Sequence, residues 1–353
     1  MKKILIDGRL LSDKPTGISR YTKEVIKALI DNYKRENVFV LVDKGYTNNY
    51  DYNIITTKLK PYNPFHFIIF SLFVGRLDFP IYYSPFYSGL YFKDRKKKQV
   101  ITVHDLMYLR ITNYFSGSKI RNSIYTLLFN FIVKSSIRSS NLVVSVSKTT
   151  KDDLLKYFKT DSVVIGEGIN FFDEKPSLKS DIFDRLRIRK EKYFLYVGNF
   201  RRQKNIPFLI EAFIRSNTSF QLVLVGDNKF KSDQNKNIIY PGVLEDHEIQ
   251  TLYRNCLAFV MPSLYEGFGL PILEAYNAGA RILSSNQGSL AEFQNLGIHY
   301  FSPFNQDELV LLLQNIENFE KPTEQEISRS RKTYSWKNQT DKIIDSIESL
   351  ISR

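Results

Sequence analysis

Two carboxylates separated by seven residues, Glu266 and Glu274, bracket a glycine-bearing loop within the stretch Leu257 to Ala275, LAFVMPSLYEGFGLPILEA. The apolar run Leu257 to Met261 predicts a buried strand. Pro271 suits the first helical position, where its missing N–H would be unpaired anyway. Gly267 and Gly269 let backbone approach a ligand without interference from a Cβ. The free N–H groups of a helix start favour an anion, most simply a phosphate. Glu274 is expected in the first turn of that helix. A carboxylate beside a phosphate makes sense where it binds hydroxyls, as on a ribose or a sugar. Strand, glycine loop and helix therefore point to a sugar-nucleotide site. Upstream, YVGNFRRQKN brings Arg201, Arg202 and Lys204 just past a predicted strand that ends at Gly198. Basic groups there can neutralise a diphosphate, arginine by bidentate bonds and lysine as a point charge. LVLVGD and YPGVLED add Gly226 and Gly242 at further strand ends. His104 follows another strand in QVITVHDL, where a histidine is either a site group or hydrogen-bonded structure.

The elements that must position these groups alternate. KKILIDGRL reads as a first strand, then comes a loop, Ser12 to Gly17, and a helix, ISRYTKEVIKALIDNY, whose apolar residues recur at helical spacing. Strand NVFVLVD is next, then a weakly patterned stretch to about residue 80. Within it, PYNPFHFIIFSLFVGRLDFP reads as a buried helix, with an interfacial one as the alternative. Strands IYYSP and QVITVHDL come after it, then a helix over residues 119–138 with Ile120, Ile124, Leu127, Leu128 and Phe131 on one face. Strand NLVVSVS leads to a helix, KTTKDDLLKYF, that Ser147 is placed to cap. A second alternating series begins at YFLYVGN and includes helix SLAEFQNLG. The expected organisation is an N-terminal domain over residues 1–170, a linker over 171–190, a C-terminal domain over 191–335, and a helix over 336–353 returning to the first domain. Alternation of strand and helix predicts two doubly wound α/β domains with parallel sheets. Ligands in such folds bind beyond the carboxyl ends of the strands, here expected in a cleft between domains.

At 353 residues, with 43% hydrophobic and 25% charged residues, the chain has an ordinary globular composition and is long enough for two domains. Its single cysteine, Cys256, excludes an internal disulfide, fits a reducing compartment and reads as a small core residue. The start, MKKILIDGRLL, is unlike a signal peptide. The longest apolar run, Phe67 to Gly75, is far short of the roughly 20 residues a bilayer requires. A cytoplasmic protein is expected. The net charge of +13 lies wholly in residues 1–170, which hold 27 Lys and Arg against 14 Asp and Glu; residues 171–353 hold 23 of each. Such asymmetry suggests an anionic surface as partner, set against a merely solvated basic face. Peripheral contact with the inner face of the plasma membrane is the sharper expectation. Nucleic acid is not expected, since no recognition motif interleaves the charge with stacking aromatics. The run 93–98, KDRKKK, reads as a solvated loop, with lipid contact as its alternative.

The set YVGNFRRQKN, LVLVGD, YPGV, PSLYEGFGLPILEA and SNQGSLAEF, with IDGRL, TGISRYT, ITVHDL, VVSVSKTTKDDL and VIGEGIN before it, resembles glycosyltransferase family 4 of the GT-B fold. The start and GNFRRQKN are most similar to a mannosyltransferase-like branch that builds bacterial surface polysaccharides. The resemblance implies a retaining enzyme that moves a sugar from a nucleotide-sugar donor, GDP-mannose as first choice, to a saccharide or lipid-linked acceptor. A UDP-sugar donor, or an epimerase of the same fold, is the alternative. It implies that Glu266 contacts the donor sugar, with amides of Phe268, Gly269 and Leu270 holding sugar and phosphate, and that Glu274 binds the ribose. Lys204 and Arg201 would hold the diphosphate with Arg202 as neighbour, and Val243 would lie by the base. His104 would face the sugar, and the loop at Gly17 would lie near the diphosphate. That loop has one glycine where many members have two. No cofactor and no metal are expected, because Lys204 and Arg201 would take the ion's place.

Overall fold

In the first half, seven short apolar segments form an all-parallel sheet: β1 (Ile4–Asp7), β2 (Val38–Asp43), β3 (Asn53–Thr57), β4 (Ile81–Ser84), β5 (Lys98–Val103), β6 (Leu142–Ser145) and β7 (Val163–Val164). Their spatial order is β3-β2-β1-β4-β5-β6-β7. The computed structural model describes residues 3–12, 16–46, 52–94, 96–115, 118–169, 182–227 and 235–352. Helices α1 (Gly17–Tyr33), α2 (Pro64–Gly75), α3 (Met107–Arg110), α4 (Lys119–Ser139) and α5 (Lys148–Phe158) connect the strands. The all-buried pattern of β1, β4 and most of β5 is what a sheet covered on both faces requires.

The second half repeats the plan with six strands in the order β10-β9-β8-β11-β12-β13, all parallel. They are β8 (Tyr193–Val197), β9 (Gln221–Val225), β10 (Ile238–Gly242), β11 (Ala258–Met261), β12 (Ile282–Ser285) and β13 (His299–Phe301). The helices are α6 (Ile182–Leu186), α7 (Ile206–Ser216), α8 (Asp246–Asn255), α9 (Leu270–Asn277), α10 (Gln306–Gln314), α11 (Glu324–Thr333) and α12 (Trp336–Ile351). The chain divides into two units, residues 1–168 with 336–353, and residues 169–335. In the first unit Ile343 and Ile347 of α12 share a core with Val25 and Leu29 of α1. Much of the linker expected over 171–190 lies outside the described residues; the part that is described, α6 and residues 187–190, belongs to the second unit.

Ser147 caps α5 as its sequence predicts, its hydroxyl accepting from the Thr150 N–H at 3.1 Å. Four local expectations change. The helix expected over SLAEFQNLG is instead a 3-10 segment, residues 288–296, kinked at Phe293. Helix α11 lacks a strong apolar stripe and is not expected from its sequence, yet Thr323 and Glu326 give it a reciprocal capping box. In the basic run, Lys97 is not solvated: it is buried, its ammonium donating to the carbonyls of Leu77 and Phe79. Arg95 of that run lies outside the described residues. Helix α2 departs from full burial as well. Phe67, Phe70, Ser71 and Val74 are buried, while Phe65, Ile68, Ile69 and Leu72 on the opposite stripe are exposed. Among the described residues no helix is long and apolar enough to cross a membrane.

Candidate functional site

In the second unit the order of connection reverses between β8 and β11, which are neighbours in the sheet. Loops leaving adjacent parallel strands at such a point diverge and leave room for a ligand. The loop after β8 makes a 3-10 turn over Arg202–Lys204, and Asn205, in the left-handed region at φ 56°, redirects the chain into α7. The loop after β11 carries Glu266 through Gly269, all buried. A bond from the Leu264 N–H to the Gln203 carbonyl, 2.8 Å, ties the two loops together.

At their meeting point the Lys204 Nζ lies 2.6 Å from Glu266 Oε1, with side chains only 11% and 9% exposed. The Ser289 hydroxyl donates to the Glu266 carbonyl at 3.0 Å and fixes the backbone there. A buried ion pair is tolerated only with such close geometry, and either member alone would be an uncompensated charge. Three glycines end the strands on this side of the sheet, Gly198 after β8, Gly226 after β9 and Gly242 at the end of β10. The Gly198 N–H donates to Val225 O (3.0 Å) and the Gly226 N–H to Gly242 O (2.9 Å), so the ladder runs on past the ends of β8 and β9. A Cβ on Gly226 would overlap the Gly198 carbonyl, which is the reason for glycine there.

Gly269, at φ 115°, begins α9 without a side-chain cap, and a Cβ on it would press against Leu290 and Phe293. Phe268 is held by ring contacts to Phe293 (5.6 Å) and Tyr334 (6.3 Å). Because Gly269 is the cap, α9 opens at Leu270, one residue before Pro271, and this moves Glu274 out of the expected first turn into the second. Glu274 is half-buried and accepts a long hydrogen bond, 3.4 Å, from the Tyr253 hydroxyl. Burial and the Glu274 charge push the Tyr253 phenol well above its ordinary pKa, so it stays a donor. Arg201 and Arg202 are exposed; the Arg201 N–H donates to Asn199 Oδ1 at 3.2 Å. Val243 is exposed and comes directly after Gly242, whose φ is 79°. Residues 228–234, between β9 and β10 on the side expected for the base, lie outside the described residues. Cys256 is buried in the core, and its thiol is pushed up to about 12 by burial.

In the first unit His104, directly after β5, is buried. Its Nδ1 is 2.6 Å from Glu167 Oε1 and its Nε2 2.9 Å from the Pro85 carbonyl. Both ring nitrogens meet acceptors, so the geometry favours the doubly protonated imidazolium. Burial alone would lower its pKa, but the Glu167 carboxylate and the Pro85 carbonyl outweigh that and raise it. Contact between His104 and a sugar requires the Pro85 bond to yield its Nε2. Sequence reasoning misses Glu167; the signal available is a carboxylate between two glycines just past a strand, in VIGEGIN. A raised folded-state pKa stabilises the unit fully below the ordinary imidazole value, about 6.5. That contribution is lost as pH rises through the raised value. The melting temperature of the native protein is expected to fall over this window relative to Glu167→Gln; parallel pH profiles for the two would contradict the pairing. Gly17 opens α1, which Thr16 caps through a 3.2 Å bond from the Ser19 N–H, and the space around its Cα is open. Residues 13–15 of that loop lie outside the described residues.

Comparison with known proteins agrees with both units. Residues 15–171 match the family described as Glycosyltransferase Family 4, and residues 179–333 match Glycosyl transferases group 1. The O-antigen chain mannosyltransferase B of Escherichia coli is 24% identical over 294 residues, covering 76% of this chain and 74% of the relative. The O-antigen chain mannosyltransferase RfbU of Salmonella typhimurium is 28% identical over 231 residues, covering 63% of this chain and 61%, less than two thirds, of the relative. Among solved structures, sucrose-phosphate synthase of Thermosynechococcus elongatus superposes with a TM-score of 0.75 at 16% identity, over 100% of both chains. WaaG, a glycosyltransferase involved in lipopolysaccharide biosynthesis, gives 0.66 at 17% identity over 96% of this chain and 94% of its own. With two parallel doubly wound sheets and both family matches in register with them, the chain belongs to the family 4 glycosyltransferases of the GT-B fold.

Proposed function

We propose that the protein is a retaining mannosyltransferase that moves mannose from GDP-mannose to a hydroxyl of a saccharide or lipid-linked acceptor in surface-polysaccharide synthesis. The observation that carries this reading is Lys204, buried and ion-paired to Glu266 at 2.6 Å, where the loops after β8 and β11 meet. A diphosphate gains charge as its bond to the anomeric carbon breaks. A pre-positioned ammonium stabilises that charge without reorganising at the moment of reaction. Arg201 adds a second cation, and the amides around Phe268 to Leu270 complete the phosphate cradle. Glu266 addresses the sugar, Glu274 the ribose and the Val243 backbone the base; the roles of Arg202, Gly267, Gly17 and His104 belong to the same proposal. The acceptor oxygen bonds to the anomeric carbon on the face from which the diphosphate departs. Its proton passes to a phosphate oxygen, and GDP is released. The reading includes no cofactor and no metal ion, and it sets the enzyme in the cytoplasm, peripheral to the inner face of the plasma membrane. The choice of mannose is supported by the two O-antigen mannosyltransferases among the relatives.

GDP and GDP-mannose should raise the melting temperature more than UDP or UDP-sugars do, because a ligand stabilises in proportion to its occupancy. A larger shift with UDP would sink the donor assignment, and an inverted anomeric configuration in the product, read by NMR, would sink retention. Glu274→Ala is expected to weaken GDP-mannose binding about 10- to 150-fold, as loss of a hydrogen bond to a charged group predicts, with kcat little changed. Unchanged donor affinity would remove Glu274 from the ribose.

A further inference from the structure

Ten of the twenty large apolar side chains left exposed among the described residues lie on only two helices, α2 and α4 of the first unit. On α2 they are Phe65, Ile68, Ile69 and Leu72, one continuous stripe at helical spacing opposite the buried face. On α4, Ile120, Ile124, Leu127, Leu128 and Phe131 make a second stripe along the first three turns, while Ile132, Val133 and Ile137 enter the core further on. The two helices touch along the buried side of α2. The Phe131 ring lies 6.3 Å from Phe67 of α2 and 5.6 Å from Tyr91, whose neighbour Phe92 is also exposed. Exposed apolar stripes on two touching helices mark a binding face rather than scattered surface residues.

The surrounding charge says what binds. Lys119, Arg121, Lys134 and Arg138 of α4 are all exposed, and exposed Arg76 ends α2. From Leu106 to Lys151 the sequence has seven basic residues and no acidic one. Apolar stripes beside a helix whose charges are all basic complement an anionic lipid headgroup layer over an acyl interior. Neither helix can cross: α2, with 12 residues, is about 18 Å long against a hydrocarbon core of about 30 Å. Helix α4 carries Arg121 and Lys134 within its length.

We propose that the exposed faces of α2 and α4 form a docking surface for an anionic lipid bilayer, with both helices lying at the boundary between headgroups and acyl chains. The inference rests on the peripheral location proposed above, deepens it by naming the surface, and does not depend on the choice of donor. The test is flotation of the full chain with vesicles of equimolar phosphatidylethanolamine and phosphatidylglycerol at low salt. The native protein is expected to float with these vesicles and not with pure phosphatidylcholine. Leu72→Glu with Leu127→Glu should reduce the floated fraction at least tenfold. Lys134→Ala with Arg138→Ala, which leaves the apolar stripes intact, should weaken partitioning about 25-fold, roughly fivefold for each cation. Both variants are expected to keep the native melting temperature, since the altered side chains are exposed. Failure of the native protein to float, or undiminished flotation of the glutamate variant, would overturn the proposal. So would a dimer in vesicle-free solution that the glutamate variant dissociates, since a second copy would then cover this face.

Discussion

Lys204→Ala is expected to lower kcat about 10²- to 10³-fold, the range seen when one pre-positioned donor to a developing negative charge is removed. KM for the donor should change much less. The same substitution leaves the Glu266 carboxylate buried without its partner, so it should also cost stability, about 3–5 kcal/mol. The two effects separate in the double variant Lys204→Met with Glu266→Leu. Removing both charges together should restore most of the melting temperature, because a buried pair replaced by apolar groups of similar volume is close to neutral. Turnover should stay lost. A single variant with less than a tenfold fall in kcat would take Lys204 out of the mechanism, and recovery of turnover in the double variant would reduce the effect to folding.

Asp7→Ala should destabilise the first unit by about 3–5 kcal/mol, a fall in its melting temperature of roughly 6–20 °C. The IDGRL segment sets two charges, Asp7 and Arg9, at the end of its apolar strand. The structure buries both. Arg9 donates to Asp7 through Nε at 2.9 Å and through Nη2 at 2.6 Å, the Tyr82 hydroxyl donates to the same carboxylate at 2.7 Å, and Arg9 Nη1 reaches the Leu59 carbonyl at 3.1 Å. The guanidinium carbon also sits 3.5 Å from the centre of the Phe70 ring. Removing Asp7 therefore strands a charge in the core, between the edge of β1 and α2. Thermal unfolding measured by circular dichroism reads the loss. An unchanged melting temperature accompanied by lost activity would instead make Asp7 a ligand-binding group.

The strand–helix alternation, the cap at Ser147 and the glycines at 198, 226, 242 and 269 are all legible in the chain, because periodicity, capping and left-handed backbone are decided within a few residues. The same locality explains why the basic group after β8 and the loop after β11 can each be recognised. Their contact cannot. Lys204 and Glu266 lie 62 residues apart, as His104 and Glu167 lie 63 apart, and each pair exists because the order of strands in the sheet brings two loops together. The sequence pattern misplaces Glu274 by one helical position, just past the first turn, because the glycine cap moves the start of α9 by a residue. Helix α2 shows the same division. Its composition is apolar all round, which predicts burial, but packing against the sheet can cover only one side of a helix. Which stripe is covered, and that the other lies open beside α4 among lysines and arginines, depends on what the fold sets next to it.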